Sequence, residues 1–132
     1  MHTLRYQRCW LRCADMGFAW LSSRTGRRRC LACQAAGITS LLDAIISVEQ
    51  AGCFKPAPAV YGLVQAELGV TPARTLFVSG NPWDSQAALA NGFSVVRVNR
   101  HGDPDEYGLR PHLVAELQDL TGLPAVLVPP TA

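Results

Sequence analysis

Charge is scarce in this chain, and no apolar stretch is long enough for a bilayer. Only 17% of the 132 residues are Asp, Glu, Lys or Arg, while 48% are hydrophobic. A disordered segment needs the opposite balance, so the chain reads as a folded domain with a core. No apolar run approaches the roughly 20 residues of a membrane span, and no membrane partner is expected. Met1 to Cys13 is interrupted by Arg5, Arg8 and Arg12, which breaks any hydrophobic region of a secretory signal. The five cysteines, Cys9, Cys13, Cys30, Cys33 and Cys53, are an odd number. That favours reduced thiols in a cytoplasmic protein over a disulfide framework.

Two kinds of site are also missing. Cys9, Cys13, Cys30 and Cys33 could offer four thiolates to zinc. The Cys30–Ala36 run, however, reads as small-residue packing inside a helix, and no metal is expected there. His2, His101 and His112 have neither ligand nor triad spacing. Acid is nearly absent from residues 1–29, where seven arginines face Asp15 alone; from Lys55 onward five basic residues face seven acidic ones. A basic stretch can hold nucleic acid. Without a binding motif or aromatics interleaved with the charges it reads as a solvated face, and no nucleic-acid partner is expected.

What is present is an alternation. Four short apolar runs, Phe18–Leu21, Ala44–Val48, Thr75–Val78 and Phe93–Val98, have the character of strands buried on both faces. Helical stretches lie between them. The spacing predicts helices over Thr25–Ala36, ending at Gly37, over Pro56–Leu68, ending at Gly69, and over Pro82–Ala90, ending at Asn91-Gly92. In the second, Val60, Leu63, Val64 and Leu68 share a face. Strand–helix alternation implies a parallel sheet with right-handed crossovers. The stretch from Pro124 reads as an extended piece and a loose tail over 124–132.

In an open parallel sheet, ligands collect beyond the C-terminal strand ends. There the first run delivers Ser22 and Ser23, the second leads to Lys55, and the third delivers Ser79, Gly80, Asn81 and Asp84. Each has a plainer reading. Asn81, Pro82 and Asp84 suit the N-cap, N1 and N3 positions of a helix, with Asp84 reaching back as in a capping box. Lys55, ahead of Pro56, is kept out of helical geometry at a helix entrance.

Three segments in order, Leu21-Ser22-Ser23-Arg24, Lys55-Pro56-Ala57-Pro58-Ala59-Val60-Tyr61 and Leu76-Phe77-Val78-Ser79-Gly80-Asn81-Pro82-Trp83-Asp84, resemble the haloacid dehalogenase-like superfamily over about residues 17–120. Within it they are most similar to the type II 2-haloacid dehalogenases. The resemblance implies an α/β fold, a Rossmann-like parallel sheet with flanking helices. It makes residues 1–132 a single partial core domain, lacking the family's first strand and cap domain.

For the site, the resemblance implies that Lys55 pairs with a nucleophilic carboxylate. Ser79 and Asn81 position the centre, and Asp84 orients or activates the hydrolytic water. Ser22 binds the substrate's carboxylate or the nucleophile, Ser23 lies beside it in the substrate-binding loop, and Tyr61 and Trp83 sit beside the substrate. Ser23 replaces the family's usual asparagine, and Arg24 its glycine. Phosphatase relatives carry a metal-binding aspartate four residues before the one matched by Asp84; here that place is Gly80, so the chemistry implied is metal-free and needs no cofactor.

The partner implied is a small 2-haloacid, and the assembly a homodimer. The reaction is displacement of halide by an aspartate followed by hydrolysis of the ester. That aspartate has no match here, since no Asp follows an apolar run before Ser22. The alternatives are a non-catalytic remnant that binds or dimerises, or a phosphatase relative.

The absent strand carries a physical expectation. In the superfamily it lies between the strands ending at Ser79 and Ser22, and without it two inner edges keep unpaired backbone groups. The isolated chain is therefore expected to be marginal, aggregation-prone or dimeric. Sedimentation and a thermal scan check this; a monodisperse monomer with one cooperative transition contradicts it.

Overall fold

Short β-branched runs become strands here because parallel sheets bury both faces of their inner strands, which removes any need for polar alternation. In the computed structural model, which describes residues 19–22 and 44–127, the chain forms two compact units divided between Leu68 and Gly69. The first holds strands β1 (Ala19–Ser22) and β2 (Ala44–Ser47) and helix α1 (Pro58–Leu68). The second holds β3 (Leu76–Ser79), helix α2 (Pro82–Ala90), β4 (Ser94–Val98), β5 (Ala115–Leu117) and helix α3 (Leu123–Leu127). The basic residues of 1–18, the stretch expected to form a helix over 25–36, Ser23, and Cys9, Cys13, Cys30 and Cys33 lie outside the described residues, as does 128–132.

In the first unit β1 and β2 run parallel, Ala19 opposite Ala44 and Ser22 opposite Ser47. A 3-10 turn, Val48–Ala51, follows β2, and α1 packs against both. The helix starts at Pro58, two residues later than its sequence suggests. The Ala57 N–H closes a turn onto the Phe54 carbonyl (3.0 Å), and the Ala57 carbonyl takes the Val60 N–H (3.0 Å). Pro58 then fits the first helical turn, where its missing N–H costs nothing. The buried face is Val60, Tyr61 and Val64, with Leu63 and Leu68 half-buried. The aromatic ring has taken a place expected for leucine.

In the second unit the order is β3-β4-β5, all parallel. Central β4 carries the core: Val95 and Val96 are fully buried and Val98 nearly so. Helix α2 covers β3 and β4. The Phe77 and Phe93 rings meet in a tilted pair, centroids 5.5 Å apart, a favourable arrangement for aromatic quadrupoles. Helix α2 has the bounds its sequence suggests and ends on Gly92 at φ +90°, a conformation open to glycine.

Two elements depart from expectation. Strand β5 was not foreseen: Ala115-Glu116-Leu117 is three half-buried residues with no apolar run. It is recruited by the neighbouring ladder, where Val114 N–H bonds the Val95 carbonyl (2.8 Å) and Asn99 N–H the Leu117 carbonyl (2.7 Å). The supposed extended tail is helical over Leu123–Leu127. Proline is tolerated in a first turn, and the Asp119 side chain prepares the approach by accepting the Thr121 N–H (2.9 Å) in the 3-10 turn Leu120–Gly122. Leu123 is buried.

Two glycines give opposite predictions. Gly62 lies in α1 at a non-strained φ, and a Cβ there meets nothing within 4 Å. Gly62→Ala is expected to stabilise by about 0.5–1 kcal/mol through helix propensity. Gly92→Ala forces an L-residue to positive φ and is expected to cost about 1–2 kcal/mol. Urea denaturation of the two variants beside the parent chain measures both.

Candidate active site at the end of strand β3

Ser79 ends β3 and is nearly buried, so its hydroxyl must find partners inside the protein. It finds two. Its Oγ donates to Asp84 Oδ2 at 2.9 Å and accepts the Asn81 N–H at 3.2 Å. The chain folds this way because Pro82 occupies the first helical turn, which places Asn81 in extended N-cap geometry and Asp84 at the third helical position. Asp84 is 4% exposed. Its carboxylate therefore lies at the positive end of the α2 dipole with a hydroxyl donor against it.

The capping box is modified. Asp84 does not take the Asn81 N–H directly; Ser79 Oγ stands between them and relays the bond. The Asn81 side chain makes no capping hydrogen bond, and its carbonyl accepts the Ser85 N–H (3.0 Å). The helix start uses the Asn81 backbone and leaves its carboxamide exposed at the strand end. Trp83, beside it, is 41% exposed, unusual for so large an apolar ring. Gly80 is exposed, and a Cβ there would only touch the Val98 carbonyl at an ordinary 3.6 Å. Backbone geometry does not demand glycine at this position.

The structure thus brings Ser79, Asn81 and Asp84 together in the second unit. Ser22, Lys55 and Tyr61 belong to the first. Ser22 ends β1 in register with Ser47 at the end of β2, a serine that sequence reasoning passed over. Lys55 is half-buried in the turn ahead of α1, and Tyr61 is 1% exposed. Ser23 lies outside the described residues.

A second polar group, also missed, occupies the ends of β4 and β5. Arg97 is paired in register with Ser79 on one side and Glu116 on the other. It is 3% exposed, and its Nε has no acceptor among the described residues. The signal was there: Val95, Arg97 and Asn99 alternate along one face, but an apolar run hid it. Hydrogen bonds from the Arg110 side chain and then Asn99 hold the Glu116 carboxyl below its ordinary range, with Arg110 and Arg97 charges adding to this. The Arg110 and Leu109 backbone N–H groups lower Asp105 in the same way, and Glu116 raises the Arg110 guanidinium.

Comparison with known proteins places this arrangement. The family model described as haloacid dehalogenase-like hydrolase matches residues 15–92. (S)-2-haloacid dehalogenase 1 of Pseudomonas sp. (strain CBS-3) is 37% identical over 118 residues, covering 89% of this chain and 52% of that protein. The (S)-2-haloacid dehalogenase of Xanthobacter autotrophicus is 54% identical over 65 residues, 49% of this chain and 26% of its own length. The solved L-2-haloacid dehalogenase from Xanthobacter autotrophicus with chloropropionic acid covalently bound superposes with TM-score 0.80 at 31% identity, covering 91% of this chain and 58% of that one. A phosphatase from Thermococcus onnurineus shares the fold at TM-score 0.76 and 24% identity. The chain spans about half the length of the first of these relatives. With its parallel three-stranded sheet, its flanking helices and a family match over most of its length, the chain belongs to the haloacid dehalogenase-like hydrolases.

Proposed function

We propose that this chain carries the part of a 2-haloacid dehalogenase active site that follows its nucleophile. The observation that carries the reading is the buried Ser79–Asp84 hydrogen bond, completed by the Asn81 N–H. A carboxylate fixed in one orientation at a helix start, with an exposed carboxamide and an indole next to it, suits the handling of a water molecule at a strand end. The names of the relatives supply the substrate class.

In this mechanism an aspartate oxygen, from sequence outside residues 1–132, attacks C2 of a 2-haloacid. The C–O bond forms as the carbon–halogen bond breaks and halide leaves. Water then adds to the ester carbonyl, frees the 2-hydroxy acid and restores the carboxylate. Lys55 supplies the cation that keeps the nucleophile ionised. Asp84 takes the water proton, held by Ser79, while Asn81 orients the reacting group. Ser22 and Ser23 bind the substrate carboxylate, and Tyr61 and Trp83 bound the substrate space. Gly80 puts no carboxylate beside Asp84, so the reaction runs without metal or cofactor. The assembled enzyme is a cytoplasmic homodimer.

The chain alone is expected to release no halide from 2-chloropropionate above a buffer blank. Release that disappears in Asp84→Ala would assign the nucleophile to this chain and overturn the scheme. Joined to a segment bearing the nucleophile, the protein is expected to release halide in excess EDTA. Lys55→Ala should then lose nearly all turnover, on the order of a thousandfold or more, the size of effect expected when an electrostatic partner of the reacting group is removed. A magnesium requirement would transfer the chain to the phosphatase reading.

A further inference from the structure

Between β4 and β5 the chain makes a long excursion, Asn99 to Val114, whose only regular element is the 3-10 turn Arg110–His112. Among its side chains only Asn99 and Leu109 are buried. Apolar packing therefore holds little of it, and polar ties must do the rest. They converge on one carboxylate. Asn99 Nδ2 donates to Glu116 Oε1 at 2.8 Å and to the Asp103 carbonyl at 2.9 Å, while its Oδ1 accepts the Asp103 N–H at 2.9 Å. Arg110 Nε donates to Glu116 Oε2 at 2.9 Å, and its Nη2 to Oε1 at 3.3 Å. Asp105 ties the middle of the segment by accepting the Leu109 and Arg110 N–H groups at 2.8 and 3.0 Å. Both ends of the excursion are thus fastened to Glu116.

We propose that Glu116 is an acid-sensitive latch: ionised, it holds segment 99–110 against the ends of β4 and β5; protonated, it lets the segment open. The same residues, Asn99 to Gly102 facing Glu116 to Gln118, line a cleft of about 370 Å³, so opening changes access to this edge of the sheet. The buried Arg97 on β4 sharpens the effect. It is the register neighbour of Glu116, its Nε has no acceptor among the described residues, and neutralising Glu116 removes a counter-charge. The other charged groups around Glu116 are Arg110 on the 3-10 turn, Asp105, and Arg100 and His101 across the cleft. His112 follows Arg110. Strand β3 carries no titratable side chain; on α2 the one such group, Asp84, is bonded to Ser79.

The sign follows from the two lowered carboxyls. A carboxylate held below its ordinary range stabilises the closed segment above that range, and the stabilisation is lost as pH falls through the lowered value. Opening is therefore confined to the acid side of the carboxylate range.

Hydrogen–deuterium exchange of the 132-residue chain, corrected for intrinsic rates and read in peptides covering 99–110 and 94–98, tests this. From pH 7 to pH 3 the 99–110 peptide is expected to lose about tenfold or more in protection while 94–98 keeps its own. Glu116→Gln is expected to reproduce most of that loss at pH 7 and to leave only the smaller pH dependence that Asp105 carries through the Leu109 and Arg110 N–H groups. Loss in both peptides together as pH falls, loss centred in the histidine range, or wild-type protection in Glu116→Gln overturns the latch. If Glu116→Gln opens both peptides at pH 7, Arg110→Gln decides, because it leaves no buried charge unpaired. Loss in 99–110 alone upholds the proposal, and wild-type protection there overturns it.

Discussion

The nearly buried Ser79 hydroxyl is satisfied on both its donor and its acceptor side, and that pairing organises the end of β3. Because Oγ receives the Asn81 N–H, its own proton is directed to Asp84. Because Asp84 must then lie within reach of the strand end, α2 has to begin within three residues of Ser79. Pro82 enforces that start, and the Asn81 carbonyl closes the first helical turn. Strand end, cap and carboxylate are one unit. The plain capping interpretation of Asn81-Pro82-Trp83-Asp84 and the site interpretation do not compete, since the geometry that starts the helix also orients the carboxylate.

The same logic extends across the sheet. Parallel register sets Ser79, Arg97 and Glu116 side by side on successive strands, and neighbours in such a row point to the same face. A hydroxyl and a guanidinium therefore replace the apolar Phe77–Val95 pair found one layer earlier, with a carboxylate beside them on β5. Burial makes each dependent on compensation from its surroundings. Ser79 finds it in Asp84; Glu116 finds it in Arg110 and Asn99. Arg97 keeps one nitrogen without an acceptor among the described residues, so its neighbourhood is sensitive to any change in nearby negative charge. The C-terminal edge of this sheet is thus polar by construction, while the interior of β4 is sealed by Val95, Val96 and Val98.

Legibility in the sequence followed apolar content. Strands β1 to β4 and helix α2 were readable because short runs of Val, Ile, Leu and Phe are bracketed by Gly, Asn and Pro, and local chemistry agrees with tertiary placement. Strand β5 was not, because Ala115-Glu116-Leu117 has no strand signal of its own and is held by its neighbour's ladder. The start of α1 slipped because Pro56 and Pro58 are equally good first-turn residues in sequence, and only the Phe54–Ala57 turn chooses between them. Helix α3 was hidden by Pro124, which reads as a breaker when the preceding turn is unseen. Among candidate site residues, Ser79, Asn81 and Asp84 lie within six positions of one another, so local geometry could unite them. Ser47 could be found only through strand register, which a single sequence does not contain, and Arg97 only through an alternation that the apolar run around it masks.

The proposed metal-free chemistry turns on a single position and not on architecture. A solved dehalogenase and a solved phosphatase both superpose on this fold, at TM-scores 0.80 and 0.76. At position 80 the backbone has no positive φ and leaves ordinary van der Waals room for a Cβ, so glycine is not there for the chain's sake. A carboxylate at that position would stand four residues before Asp84, two negative groups at one helix start. Such a pair is tolerated only when a cation is bound between them or one carboxyl takes up a proton. Glycine leaves Asp84 as the one carboxylate of this turn, bonded to Ser79, which is the feature on which the proposed metal-free mechanism rests. In the proposed mechanism the absence of a side chain at Gly80 is therefore a chemical feature and not a steric one, since the scaffold would have admitted a Cβ there.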